Sequence, residues 1–274
     1  MTTDMSTERR SLRELMDLSG RTAIVTGGAG HLGAAMSEAL AEQGADIVVV
    51  DLDPEAAAAA AARLEAAHGV HAVGHAVDLG DEAAIRGLIR TVEAAGGVDI
   101  LVNNAAFVGS SNLSGWAVPF ESQAVETWRM ALEVNLTAPF VLSQALAPSL
   151  ARAGRGSIVN IGSIYGLVGP DMRLYEGTGM GNPAAYAASK GGLLQFTRWL
   201  ATTLAPDVRV NAIAPGGVAR SQAPDFRDRY LTRTPLGRMA IEEDFKGAIA
   251  YLASDLSAYV TGQVLTVDGG WTAW

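Results

Sequence analysis

The chain has no cysteine among its 274 residues, which excludes disulfides and thiolate metal sites. It has no basic excess. Twenty Lys and Arg stand against 29 Asp and Glu, and a net charge of −9 argues against a nucleic-acid partner. No uninterrupted apolar run reaches the roughly 18–20 residues that a membrane span needs. Met1 to Ser19 is polar and mixed in charge, without the apolar stretch of a signal peptide. There is no long linker and no internal repeat. These absences predict a cytoplasmic protein with neither nucleic acid nor membrane as partner. What remains is 49% hydrophobic and 18% charged, enough for one large core.

From Arg21 onward, apolar strands alternate with amphipathic helices. Strands are predicted at 22–26, 46–50, 71–77, 100–104, 157–161, 208–214 and 264–267. Helices are predicted at 32–43, 54–68, 81–95, 122–150 (with Pro139 as a kink), from 182 onward, and at 241–253. The seven alanines from Ala56 to Ala62 are strong helix formers. Alternation of this kind implies a parallel sheet covered on both faces. One domain is read from 20 to 274, after a tail at 1–19. In the tail, Leu12, Leu15 and Met16 either form a short turn packed on the body or belong to an extension.

Two features carry chemistry. Thr26-Gly27-Gly28-Ala29-Gly30-His31-Leu32-Gly33 lies between the first strand and its helix. Glycines there let the backbone approach a pyrophosphate, and the helix N-terminus supplies free N–H groups. Asp51 closes the second strand, where a carboxylate accepts hydrogen bonds from both adenosine ribose hydroxyls and repels a 2′-phosphate. Leu52 follows it, and the loop has no Arg or Lys to hold that phosphate. NAD is therefore preferred over NADP. Asp78 ends the third strand, within reach of the adenine amino group. Asn103-Asn104-Ala105-Ala106 ends the fourth, where small residues leave room for the ribose. The second feature is Tyr186 with Lys190, four apart and so on one helix face. An ammonium beside a phenol favours the phenolate, which predicts a lowered Tyr186 pKa and a proton donor usable near neutral pH.

In this order and spacing, these residues resemble the short-chain dehydrogenase/reductase family, single-domain branch, from about residue 20 to the C-terminus. The resemblance rests also on Asn135 in Val134-Asn135-Leu136, Ser163, Asn211, Pro215-Gly216-Gly217-Val218 and Asp268-Gly269-Gly270. It implies a Rossmann-type, doubly wound, seven-stranded parallel sheet in a three-layer α/β sandwich, and a homotetramer or homodimer. It also implies a catalytic tetrad of Asn135, Ser163, Tyr186 and Lys190. In that reading Ser163 hydrogen-bonds the reacting oxygen, and Tyr186 exchanges the alcohol proton as hydride moves to or from the nicotinamide. Lys190 holds the nicotinamide ribose, and Asn135 holds a water. Expected cofactor contacts are Gly27, Gly30, His31, Leu32, Gly33, Asp51, Leu52, Asp78, Leu79, Asn104, Ala105, Ala106, Tyr186, Lys190, Pro215, Gly216 and Val218. No metal is expected.

The chain departs from the pattern in places. His31 replaces a usual glycine; it either leans over the pyrophosphate or faces solvent. Ala106 also replaces a glycine, and Arg220 stands where a threonine often touches the nicotinamide amide. Ser163 and Tyr186 are 23 residues apart, well beyond the family norm. The extra stretch, 167–182, carries Asp171, Arg173, Tyr175, Glu176 and Thr178. It either borders the substrate pocket or is a surface elaboration or subunit contact. Its run from Pro170 to Thr178 resembles an insertion in relatives from bacterial surface-sugar biosynthesis, which points to a polar, sugar-like substrate. Apolar Val264, Leu265 and Val267 with Trp271 are read as subunit contacts. The expected function is NAD(H)-dependent hydride transfer on a secondary alcohol or ketone, with a sugar or other polar hydroxy compound as candidate substrate. The alternatives are an NAD-dependent epimerase or dehydratase of a sugar derivative, a 3-oxoacyl-type ketoreductase, and a dinucleotide sensor without catalysis.

Overall fold

Strand residues of alternating side meet two separate cores. Ala23 and Val25 pack with one set of helices, and Ile24 between them packs with the other. A strand apolar on both sides cannot face water on either, so helices cover both faces. The computed structural model describes residues 9–108 and 111–274. Its strands are β1 (Thr22–Thr26), β2 (Asp46–Asp51), β3 (Ala72–Ala76), β4 (Ile100–Asn103), β5 (Gly156–Ile161), β6 (Val208–Pro215) and β7 (Val264–Val267). All pair in parallel, in the order β3-β2-β1-β4-β5-β6-β7. The order reverses between β1 and β4. In a doubly wound sheet such a reversal marks where the ligand binds, at the strands' C-terminal ends.

Helices α2 (His31–Glu42), α3 (Pro54–His68) and α9 (Lys246–Ala253) cover one face. Helices α4 (Glu82–Ala94), α6 (Ala138–Arg152) and α7 (Ala184–Leu204) cover the other. Asp53 and Asp81 cap α3 and α4 through side-chain oxygens that accept first-turn N–H groups. Ala57, Ala60 and Ala61 of the alanine run are buried against the sheet, so the run serves packing as well as propensity.

Several expected elements are corrected. The single helix over 122–150 is three pieces: α5 (Val125–Leu132), a π turn (Glu133–Thr137) and α6. Pro139 has no N–H for the Asn135 carbonyl one turn back, so the regular ladder fails there. The helix expected over 241–253 begins as a 3₁₀ turn (Glu242–Phe245) before α9. A helix not foreseen, α8 (Pro224–Thr232), shows no clear apolar stripe and buries only Phe226 and Tyr230. The stretch Val125–Arg152 is long and apolar enough, by length and composition, to cross a membrane. The sequence reading looked for an uninterrupted run, whereas here short apolar runs are joined by small polar residues. In this fold Val141, Leu142, Leu146 and Leu150 of that stretch lie in the core.

Of the tail, Met1 to Glu8 lie outside the described residues. The remainder packs on the body. Ser11 and Glu14 form a capping box on α1 (Leu12–Met16). Leu18 is fully buried, and its N–H donates to the Gln43 carbonyl at 2.8 Å. Arg10 and Arg21 both reach Asp255, each at 2.6 Å.

Candidate active site

The glycine loop is shaped for close approach. Gly27 has φ +60°, and a Cβ on Gly33 would lie 2.0 Å from the Gly27 carbonyl oxygen. No side chain caps α2, which leaves its first-turn N–H groups for a ligand. Asn104 Nδ2 donates to the carbonyls of Thr26 (2.9 Å) and Gly27 (3.2 Å). Thr26 Oγ1 accepts from the N–H groups of Asn104 and Ala105. The ends of β1 and β4 are thus tied into one rim. A preset backbone, small residues and uncapped N–H groups fit a nucleotide pyrophosphate.

Asp51 stands at the end of β2 with its carboxylate against this loop. Oδ2 accepts the Ala29 N–H at 3.1 Å, and Oδ1 the Leu52 N–H at 2.8 Å. Leu52 is exposed. Asp78 is exposed and accepts from Gly80 N–H, while Leu79 is buried beside it. Ala105 and Ala106 are half-buried at the rim. Pro215 ends β6, Gly216 donates to the Val267 carbonyl, and Val218 bridges Ala240. His31 faces solvent, with 73% of its side chain exposed, and Nδ1 lies 3.6 Å from Glu242. Arg220 pairs with the same Glu242 at 2.8 Å. Glu242 therefore links α2's first turn to the loop after β6, a contact the sequence did not announce.

The four tetrad positions meet beyond β5. Ser163 follows that strand and caps the 3₁₀ turn at Ile164–Gly166. It is buried, and its hydroxyl favours the Tyr186 phenolate. Lys190, one turn along α7, is buried with Nζ donating to the Ile161 carbonyl at 2.7 Å. Asn135 lies in the π turn. Its Oδ1 accepts the Phe107 N–H at 2.8 Å, and its Nδ2 donates to the Phe107 carbonyl and to Ser189 Oγ. Both Nδ2 hydrogens are used and Oδ1 already accepts one N–H, while the main-chain carbonyl lacks an N–H partner at Pro139 and so offers a place for a water. Behind the tetrad, Asn103 donates to Asn160 and Asn160 to Thr197, a buried polar ladder across β4, β5 and α7.

The expectation of a lowered Tyr186 pKa is corrected. Burial pushes the phenol up, and the opposing influence of the Ser163 hydroxyl does not prevail. The Lys190 ammonium is 5.9 Å from the ring centroid and is turned to Ile161. Burial lowers Lys190 itself, to about 8.

Stretch 167–182 lies between Ser163 and α7, and its charged residues build scaffold. Asp171 pairs with Arg173 and Arg233, and these partners hold its carboxyl down at about 2. Arg173, with 78% of its side chain exposed, braces Asp171. Arg229 of α8 donates to the Glu176 carbonyl at 2.6 Å, and more weakly to those of Arg173 and Leu174. Tyr175 is buried, with its hydroxyl 2.9 Å from that of Tyr165. Tyr165 went unnoticed in the sequence; its place two residues after Ser163 was the only signal. Trp271, read as a subunit contact, is buried instead. It stacks on Tyr230 and lies under the Arg233 guanidinium.

The comparisons agree with this geometry. Residues 27–272 match the family described as enoyl-(acyl carrier protein) reductase. The cis-4-hydroxycyclohexanecarboxylate dehydrogenase of Sinomonas cyclohexanicum is 36% identical, covering 92% of this chain and 97% of that protein. The 3-oxoacyl-(acyl-carrier-protein) reductase of Escherichia coli is 33% identical, covering 93% and 98%. The crystal structure of a gluconate 5-dehydrogenase from Burkholderia cenocepacia, in complex with NADP and tartrate, superposes with a TM-score of 0.86. It is 31% identical and covers 96% of this chain and 100% of that one. The chain belongs to the short-chain dehydrogenase/reductase family, whose members use a nicotinamide cofactor to interconvert alcohols and ketones.

Proposed function

We propose that this enzyme is an NAD(H)-dependent dehydrogenase/reductase of a secondary alcohol or ketone in a polar hydroxy compound. The observation that carries the reading is the meeting of Ser163, Tyr186 and Lys190 at the end of β5, beside a backbone cradle fitted to a dinucleotide. The bound nicotinamide supplies the hydride acceptor or donor. Ser163 donates to the reacting oxygen, and Tyr186 takes up or returns its proton. Burial keeps the phenol protonated. Lys190 would favour the phenolate at the stage that requires it, and a bound oxidised nicotinamide would supply positive charge to the same end. Lys190 passes the proton onward through a water on the Asn135 carbonyl, which Pro139 deprives of its N–H partner.

Asp51 supports NAD over NADP. Its carboxylate lies against the loop, where a 2′-phosphate would meet a like charge. Support for a polar substrate comes from relatives named for a hydroxycyclohexanecarboxylate and for gluconate. A 3-oxoacyl ketoreductase is the alternative that the Escherichia coli relative favours. Cytoplasmic location and a homotetramer or homodimer complete the reading. Exposed Trp199 stacks on Phe196, which packs against exposed Phe140, an apolar face suited to a second copy. The test is a screen of polyols, sugars, sugar phosphates and hydroxy or keto acids with NAD and NADP, followed by absorbance. Net NADH formation from a secondary alcohol is expected. Conversion without net NADH would establish an epimerase or dehydratase instead, and tight NADH binding with no turnover would revive a sensor.

A further inference from the structure

Beside Ser163 and Tyr186 lies a polar group set that the proton relay does not use. The hydroxyls of Tyr165 and Tyr175 are 2.9 Å apart. Two phenols carry two O–H donors, and one hydrogen bond between them leaves a donor over. Asn182 Nδ2 approaches the Tyr175 hydroxyl at 3.5 Å, while Asn182 Oδ1 is buried with no partner among the described residues. A buried acceptor left unpaired is costly, so it calls for a donor. The Trp271 indole N–H, in the same aromatic cluster, is likewise buried and unpaired. These groups adjoin the reacting centre. Tyr165 lies two residues after Ser163, its N–H donating to Ser163 Oγ at 3.2 Å. Both phenols lie within electrostatic reach of Tyr186.

The set is also fixed in place. Tyr175 packs on Phe226 with centroids 5.2 Å apart, and Tyr165 meets Trp271 edge-on at 6.1 Å. Arg229 grips the backbone carbonyls on either side of Tyr175, and Asp171 with Arg233 ties the stretch to the end of α8. The nearby guanidiniums are therefore committed: Arg173 and Arg233 to Asp171, and Arg229 to carbonyls. What the set offers is neutral, one spare phenol O–H and one spare carboxamide oxygen. A carboxylate or phosphate only accepts. A hydroxyl both accepts and donates, so it satisfies both at once.

We propose that Tyr165, Tyr175 and Asn182 form a subsite that binds a second hydroxyl of the substrate, close to the carbon that Tyr186 and Ser163 act upon, making diols and polyols the preferred substrates. This rests on the alcohol-oxidising reading and narrows its substrate class. The residues are specificity determinants and take no part in proton transfer. Breaking such a contact leaves the discrimination to shape alone, which is weak for a neutral pocket.

The experiment compares cyclohexanol with cis-cyclohexane-1,2-diol and cis-cyclohexane-1,3-diol under saturating NAD, in the full-length protein and in Tyr175→Phe. The phenylalanine ring preserves the packing on Phe226. The wild type should oxidise at least one diol with kcat/KM at least about tenfold above cyclohexanol, chiefly through KM. Tyr175→Phe should erase that preference by losing diol activity alone. Tyr165→Phe should do the same, which guards against a local folding fault in one variant. A wild type without diol preference, or variants that lose diol and mono-ol activity in equal proportion, would overturn the subsite while leaving the dehydrogenase reading intact. Absence of turnover on every secondary alcohol would remove both.

Discussion

The two halves of the active-site cleft are built by different means. The cofactor half, around β1, β2 and β4, is made from backbone. A left-handed glycine, an uncapped helix start and small residues leave a cradle that side chains only trim. The substrate half, from Ser163 to α7 and across to α8, is made from side chains. An aromatic cluster of Tyr165, Tyr175, Phe226, Tyr230 and Trp271 is braced by guanidiniums that hold carbonyls and a carboxylate. Backbone tolerates almost no substitution but repeats from protein to protein. Side-chain packing can be rebuilt, so one scaffold serves many substrates.

If that contrast is right, adding one carbon to the cofactor half should do more harm than removing whole groups elsewhere. Gly33→Ala places a Cβ 2.0 Å from the Gly27 carbonyl oxygen and 2.7 Å from Asn104 Nδ2, both held by the rim. Affinity for NADH should fall on the order of a hundredfold or more in a protein that still folds, as read by fluorescence titration and circular dichroism. Unimpaired binding would show that the cradle is softer than its geometry. Asp51→Ala removes a charge and leaves the backbone alone. It should shift the NAD-to-NADP preference by roughly tenfold to a hundredfold with little loss of overall turnover. An unchanged ratio of kcat/KM values would place selectivity elsewhere.

Lys190→Met gives the smallest effect and the opposite sign in stability. It deletes a buried cation, so the folded protein should gain on the order of 1–3 kcal/mol near pH 7 while losing activity. Burial disfavours the ammonium, so the folded state releases its proton at about 8, against 10.5 as the ordinary value. Between those values the unfolded chain binds more protons, and wild-type stability rises with pH. The gap between variant and wild type should therefore narrow from pH 8 to pH 10.5 in paired thermal melts. A constant gap, or a variant less stable at neutral pH, contradicts the burial argument.

The same contrast explains what the sequence disclosed. Seven strands and most helices were legible because both-face burial leaves continuous apolar runs, and β7 and α3 match their expected bounds. The places of Gly27 and Gly33 in a tight turn after β1, and of Asp51 at the end of β2 against that turn, were legible because local spacing fixes them. The substrate half was not. The sequence left the stretch around Arg173 open between a pocket border and a surface elaboration, because it does not show that the guanidinium is taken by Asp171 two residues away. Trp271 looked like an interface residue because it is large and near the C-terminus, yet Tyr230 and Arg233 bury it from 38 or more positions away. Helix α8 escaped notice because its five polar residues among nine leave no periodic stripe. The sign of the Tyr186 shift was missed for a related reason. Spacing reveals a neighbouring charge but not the loss of water around the phenol.

The most direct measurement is the turnover of Tyr186→Phe beside its affinity for NADH. The phenyl ring keeps the packing and removes only the hydroxyl proposed to exchange the substrate proton. Turnover should fall about a thousandfold, within the range of a lost acid–base group, while NADH binding stays within a few-fold of wild type. Undiminished turnover with intact binding would mean that another group carries the proton.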